Sequence, residues 1–485
     1  MLTQRPTRRQ FIQAAGMVAA GAAAFGTAGC LPSTGGPTTS ASTGPTTRSY
    51  RSRPDLKVPI LTTTNTASSA VHGRFFIAPG GPMIADERGE PLWFHPVSGK
   101  NVSNFRAQLY AGNPVLTWWE GKVGVGYGVT GELVIADTSY KELRRISAGN
   151  GFQADLHEFQ ITPRDTVLLT AYHQLPANLT KVGGPANGTV LDCIVQELDI
   201  ASGQVLFEWH SMAKVALEES HATYAKGQPF DYFHINSIDL DSDGNLLISA
   251  RNTWAVYKID RGNGAVLWGM GGKKSDFAMG SGTGYAWQHD ARRQADGTIT
   301  LFDDGSSPKI EPQSRGLVLQ VDEGLRMVKL RQAYAHGGSG ISASSQGNMQ
   351  VLPNGDVLVG WGSEPYLTQF NANGSIAVDG KFAGTFQSYR AFRLPWTGQP
   401  AEKPAVATAK DAGGVAVYAS WNGATEVARW EALGGSEAGS LTVVGSAPRS
   451  GFETTINVTG QPAYVAARAL DASGALLGTS AVVGV

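Results

Sequence analysis

The chain has 485 residues, which admits more than one domain, and a formal charge of −1, which excludes nucleic acid or an anionic membrane surface as an electrostatically held partner. Charged residues make up 16%, hydrophobic residues 42%, and there are 61 glycines, a mix that points to a turn-rich, well-buried β protein.

Residues 1–30 read as an export signal and stand outside the fold. "TRRQFIQ" (7–13) carries the paired Arg8 and Arg9 of a twin-arginine signal. The Ala/Gly-rich run at 14–29 is too short and too small-residued for a membrane span. It ends in "TAGC", placed as in a bacterial lipobox with Cys30 as the lipidated residue; the alternative is a secretory signal with an incidental cysteine. Residues 31–58 are expected to be a disordered linker to a membrane anchor on Cys30, with the protein facing the extracellular or periplasmic side. Cys193 is then the only remaining thiol, so no intrachain disulfide forms, and the alternation of "DCIVQELDI" marks it as a small core residue.

From about 59 to 398 the chain repeats. "MIADERGEPLWFH" (83–95), "VQELDIASGQVLFEWH" (195–210) and "VYKIDRGNGAVLWGM" (256–270) share one plan of strand, Asp/Gly turn and aromatic strand, with weaker copies at 317–330 and 368–380. A second hairpin element precedes most copies: "GELVIADTSY", "DTVLLTAY", "DGNLLISARN", "DGTITLFDDG" and "NGDVLVGWG". Units of about four short strands recurring at one period have the spacing of β-propeller blades, with room for six. A series of Greek-key sandwiches is the weaker alternative. "DLDSDGN" (239–245) matches half of an EF-hand loop, but Ala250 stands at the twelfth position, which favours a hairpin turn. Residues 403–485 change to closely spaced turns and strands and read as a small fibronectin/Ig-like β-sandwich. The fold class is therefore all-β, a six-bladed β-propeller followed by that sandwich.

Three of nine histidines share one address. His157, His234 and His289 each stand just ahead of a blade's turn, so pseudo-symmetry brings them together near the axis. The corresponding place in the sixth unit holds Gly347 and Asn348, and Arg251 ends the strand after His234. Inherited packing, a His₃ metal site and anion chemistry are the open readings; a nearby guanidinium argues against metal, so no metal and no cofactor are expected.

The motifs "TWWEG", "ADLHEFQ", "DYFHINS", "LLISARNTWAVYKID", "WQHDARR" and "TLFDDG" resemble the arylsulfotransferase (ASST-type) family, especially its second branch. The resemblance covers about 100–398. It implies a six-bladed propeller that moves a sulfuryl group from a phenolic sulfate donor to a phenol acceptor through a sulfohistidine, without the nucleotide donor PAPS. It implies that His289 is sulfated, that His234 and Arg251 bind the sulfuryl oxygens and handle the phenol proton, and that His157 contacts the sulfate. Asn348 stands for a late threonine with no clear counterpart. Trp118, Trp119, Trp254, Tyr232 and Trp287 are candidates for an aromatic slot, each with ordinary packing as the alternative. A non-catalytic surface lipoprotein binding a glycan or protein partner is the rival reading.

Overall fold

The computed structural model describes residues 44–65, 73–338, 340–411 and 413–485. The signal at 1–30 and the lipidation at Cys30 lie outside the described residues. Among the described residues there are strands and short 3-10 turns but no α-helix.

Six sheets follow one another, antiparallel except for the parallel edge pairing of Ala278–Met279 with Met327–Val328. Sheet I contains Arg74–Ile77, Met83–Ala85 and Pro91–Phe94; sheet II Asn101–Tyr110, Asn113–Val123, Gly128–Ala136 and Glu142–Ile146; sheet III Phe159–Ile161, Thr166–Ala177, Gly188–Asp199 and Val205–His210. Sheet IV contains Ile235–Leu240, Leu246–Ala250, Ala255–Ile259 and Val266–Gly271; sheet V His289–Arg293, Ile299–Asp303, Arg315–Asp322 and Met327–Tyr334, with Ala278–Met279 at its outer edge; sheet VI Asn348–Val351, Val357–Gly360, Tyr366–Phe370 and Ile376–Phe382. Phe392–Leu394 returns to pair with Arg74–Ile77 as the first strand of sheet I, and Leu61–Asn65 pairs with Ile376–Phe382 at the outer edge of sheet VI. Each sheet touches the next, and the series comes back to its start where Val357–Gly360 meets Phe392–Leu394.

The core lies between sheets. Strand alternation sends successive side chains to opposite faces, so Ile248 packs toward sheet III while Leu247 packs toward sheet V. Each adjacent pair of sheets encloses one apolar cluster, including the closing pair of sheets VI and I, where Leu358 and Leu367 meet Phe75 and Ile77. Cys193 is one such buried residue, and burial pushes its thiol up.

The repeated Asp/Gly segments form the third and fourth strands of their sheets, and the preceding elements form the second, with one exception. "GELVIADTSY" supplies the third strand of sheet II, and "VLTWWEG" supplies the second; both are apolar runs of similar length, which alternation alone does not rank. "DLDSDGN" is a hairpin turn: Asp241 N–H donates to Asn245 O (2.8 Å), and Lys258 Nζ bridges Asp241 (3.1 Å) and Asp243 (2.8 Å).

The C-terminal region has two antiparallel sheets, Ala405–Asp411, Gly414–Ser420 and Glu453–Thr459 in one, Arg429–Glu437, Ser440–Pro448, Tyr464–Leu470 and Leu476–Thr479 in the other. Val417 and Ile456 from the first pack against Trp430 and Ala467 from the second. Asn422 exchanges hydrogen bonds with the Phe94 backbone (2.9 and 3.0 Å), and Tyr140 Oη donates to Gly423 O (2.6 Å). The expected linker ends earlier than residue 58. Thr47–Arg48 pairs with Val58–Pro59, Leu56 and Val58 are buried, Arg48 pairs with Glu90, and Ser52 bonds Glu453. Leu56 and Val58, with Tyr50 beside them, join the apolar cluster of sheets VI and I.

Candidate active site

The first strands of sheets II, IV and V are each interrupted by a register shift near one end, between Ser103 and Arg106, Ile235 and Ser237, and His289 and Arg292. Such bulges re-aim side chains. Positive φ at non-glycine residues gathers in the same region: His234 (56°), Trp254 (51°), Trp287 (60°) and Gln346 (70°). Backbone strain of this kind persists where surrounding packing holds it, and it collects at functional sites. Gly347, also at positive φ (95°), is required there, since a Cβ would lie 2.5 Å from the Phe302 ring.

Two of the three histidines meet. His157 and His234 stand edge to face with ring centroids 4.9 Å apart. Each of the three offers Nδ1 to a carboxylate that sequence reasoning had not assigned: His157 to Asp155 (2.5 Å), His234 to Asp231, and His289 to Asp304 (2.7 Å). Two of these aspartates lie two or three residues before their histidine, and Asp304 follows the neighbouring strand. All three stand inside motifs already visible in the sequence, ADLHEFQ, DYFHINS and TLFDDG.

The hydrogen bonds fix the state of His289. Its Nδ1 faces two acceptors, Asp304 Oδ2 and Trp287 O (3.1 Å), so Nδ1 carries the proton. Its Nε2 receives the Gln346 backbone N–H (3.2 Å), so Nε2 presents its lone pair. Arg251 reaches the same segment from the other side: Nη2 donates to Ser344 O (3.1 Å), Nη1 to Asn252 Oδ1 (2.9 Å), and the guanidinium lies over Trp287, 4.8 Å from the ring centroid. Arg251 is buried, and its Nε has no hydrogen-bond partner among the described residues.

Under these rings lies a buried ionic hub. Glu158, next to His157, accepts from Arg106 (3.1 Å), Arg292 (2.5 Å) and Arg390 (3.3 Å), and Asp290, next to His289, faces Arg292 (2.7 Å) and Arg390 (3.3 Å). Burial pushes the Glu158 carboxyl up, but the three guanidiniums outweigh it and hold the group down to about 2. The hub ties together first strands from sheets II, III and V.

A cavity of about 800 Å³ opens beside His234, Arg251, Asp231 and Trp287. His289 and His157 are fully buried and do not line it. Of the five aromatic candidates, Trp287 lines it, and Trp254 stands edge-on to Trp287 (centroids 5.0 Å) behind His221. Trp118 packs with Phe105 and bonds Glu120 (3.3 Å), Trp119 donates to Ala154 O (2.8 Å), and Tyr232 sits in the core between sheets III and IV against Phe233. These three are packing residues away from the cavity. Asn348 is likewise spent elsewhere: its amide exchanges two bonds of 2.8 Å with the Ala391 backbone. Asn104 Nδ2 donates to Leu156 O and Asn236 Nδ2 to Gln288 O (2.6 Å each) on alternate sheets, so Asn348 is one of three asparagines that tie a first strand to the chain leading into the next. A second cavity of about 650 Å³ opens at the opposite ends of the first strands, with the Gln108 and Gln350 amides bonded to backbone. Among the described residues no group of three or more His, Cys, Asp or Glu is arranged to hold a metal ion.

The family model described as "Arylsulfotransferase (ASST)" matches residues 106–383. No curated protein matches the chain. Similar solved structures include a protein of unknown function from Bacteroides caccae, with 14% identity over 67% of this chain and 99% of that one and a TM-score of 0.42. A catalytically inactive virginiamycin B lyase from Staphylococcus aureus with quinupristin shares 10% identity over 75% of this chain and 96% of that one, at a TM-score of 0.36. A protein of unknown function from Dyadobacter fermentans shares 10% identity over 82% of this chain and 99% of that one, at 0.37.

Proposed function

The chain belongs to the arylsulfotransferase (ASST) family, and on that premise we propose that it moves a sulfuryl group from an aryl sulfate ester to a phenolic acceptor through a sulfated His289, without PAPS or any other cofactor. The observation that carries this reading is the hydrogen bonding of His289, with Nδ1 held protonated by Asp304 and Trp287 O and Nε2 left as a lone pair.

In the first half-reaction Nε2 of His289 attacks sulfur, the N–S bond forms and the S–O(aryl) bond breaks. The departing phenolate takes a proton from His234, whose imidazolium is supported by Asp231. Arg251 spreads its planar charge across the sulfuryl oxygens, the main service an enzyme provides to a loose transition state. In the second half the acceptor phenol gives its proton to His234, its oxygen attacks sulfur, and His289 leaves as the neutral imidazole it was. Asp304 compensates the positive charge on the sulfated ring. The long contact from Gln346 N–H to Nε2 yields as sulfur arrives, and that N–H then faces a sulfuryl oxygen. His157, fully buried and edge-on to His234, backs that ring. Because His289 does not line the cavity, donor entry must displace the 344–346 segment by a small amount.

The sequence of six sheets with its closing contact supports a six-bladed propeller at 59–398, and the two C-terminal sheets support a fibronectin-like sandwich at 403–485. The twin-arginine motif and TAGC support export and membrane attachment through Cys30. Incubation with 4-nitrophenyl sulfate and a phenol, with and without chelator, tests the reading: transfer that survives chelation supports it, and glycan binding without transfer would replace it with the surface-binder reading.

A further inference from the structure

Asn252 follows Arg251 just past the end of the strand Leu246–Ala250, and both its backbone and its side chain are engaged. The Asn252 N–H donates to Phe233 O (3.0 Å), beside the bond from the Arg251 N–H to His234 O (2.9 Å). The Asn252 carbonyl accepts the His221 N–H (2.7 Å). The side chain reaches two groups of the site at once: Nδ2 donates to Asp231 O (2.6 Å), and Oδ1 accepts from Arg251 Nη1 (2.9 Å). Asn252 is buried, yet it lines the cavity of about 800 Å³ together with His221, Asp231, His234 and Arg251. One residue thus joins the stretches of wall that carry the guanidinium and the imidazole.

The partners fix which way the amide faces. A guanidinium only donates and a backbone carbonyl only accepts, so the oxygen meets Arg251 and the nitrogen meets Asp231 O. A carboxylate at 252 would offer acceptors alone, and a hydroxyl would lack the second head atom. Charge is the other requirement. The guanidiniums of the hub, Arg106, Arg292 and Arg390, lie against the carboxylates of Glu158 and Asp290. Both hydrogen bonds of Arg251 go instead to neutral oxygens, Asn252 Oδ1 and Ser344 O. Neutral acceptors hold the fork in place without cancelling its charge.

Resting on the sulfuryl-transfer reading above, we propose that Asn252 is a positioning residue: its amide locks Arg251 and the Asp231–His234 pair into one geometry, and its neutrality keeps the Arg251 charge for the sulfuryl oxygens. It acts through these neighbours. Loss of the Nδ2 donor frees the Asp231 backbone and with it the carboxylate that holds His234 Nδ1. A carboxylate in place of the amide keeps Arg251 anchored but pairs its charge, and it sets an acceptor against Asp231 O.

The test uses the full chain, Asn252→Ala and Asn252→Asp, with 4-nitrophenyl sulfate and phenyl sulfate in single-turnover release without acceptor. The amplitude counts competent sites, and the rate constant reads the geometry within them. Both variants should keep the parent amplitude and lose about 10²-fold in rate per site, the size of loss that misplaced catalytic groups produce. In Asn252→Ala the loss should be larger for phenyl sulfate, whose leaving group depends more on the proton from His234. Asn252→Asp should fall at least as far as Asn252→Ala, although it fills the same space as asparagine. Parent-like rates per site in either variant, a loss confined to amplitude, or equal losses for the two donors in Asn252→Ala overturns the proposal and leaves sulfuryl transfer standing. The His234 Nδ1–H proton resonance, identified by its absence from His234→Ala, reads the same geometry without turnover and should shift or broaden in Asn252→Ala. If the parent chain releases no phenol from either donor, the transfer reading falls and that resonance decides the positioning of His234: a shifted line upholds it, and an unchanged line overturns it.

Discussion

His157 and His234 meet at 81°, ring centroids 4.9 Å apart, each with its Nδ1 on its own aspartate. The arrangement spends both Nδ1 atoms on fixed carboxylates. It separates roles, because only His234 of the two lines the cavity where a phenol oxygen can arrive.

His234→Ala should therefore lower kcat by about 10²–10⁴-fold. The loss should be greater for phenyl sulfate than for 4-nitrophenyl sulfate, since the poorer leaving group depends more on a proton. Equal losses for the two donors would remove His234 from the acid–base role.

Asp304→Asn should lower kcat by about 10²–10⁴-fold, because an amide can donate to Nδ1 and favour the tautomer with its proton on Nε2. Near-normal burst amplitude and rate in this variant would show that the carboxylate does not set the tautomer.

Arg251→Lys keeps a charge but loses the planar fork and the stacking on Trp287. Turnover should fall by about 10²-fold or more. A lysine variant with full activity would mean that any cation suffices there.

Much of this was legible in the sequence. The alternation and the Asp-Gly turns place the strands, and the shared spacing of His157, His234 and His289 ahead of their turns gives three imidazoles one address in their sheets, of which the rings of His157 and His234 meet. What the sequence does not settle is which neighbour each side chain meets. Trp118 and Trp119 sit on one strand and point into different inter-sheet cores, a matter of strand parity against the neighbouring sheet. Asn348 occupies the expected address, yet its amide closes on the backbone of the returning strand at Ala391, a partner 43 residues away. Asp155 and Asp231 stand two and three residues before their histidines and Asp304 fifteen after His289, and their pairing depends on local backbone geometry, including the left-handed turn at His234, that apolar periodicity does not encode. His221 lies in an irregular segment and gives no repeat signal at all.

Glu158→Gln leaves Arg106, Arg292 and Arg390 short of a buried counter-charge and should destabilise the fold by about 3–5 kcal/mol in denaturant unfolding. The sign with pH follows from the carboxyl held at about 2, below its ordinary 4.5. Its contribution is whole above 4.5 and drains away as pH falls through about 2. The variant should show a flatter loss of stability between those values than the parent chain, and parallel acid limbs would count against the hub.

The central claim is a covalent sulfuryl group on one ring. After brief exposure to a ³⁵S-labelled aryl sulfate without acceptor, the protein should carry acid-labile label that maps to the peptide containing His289, discharges on addition of a phenol, and is missing from His289→Asn. Label on another residue, or no label while transfer proceeds at the parent rate in His289→Asn, would contradict it.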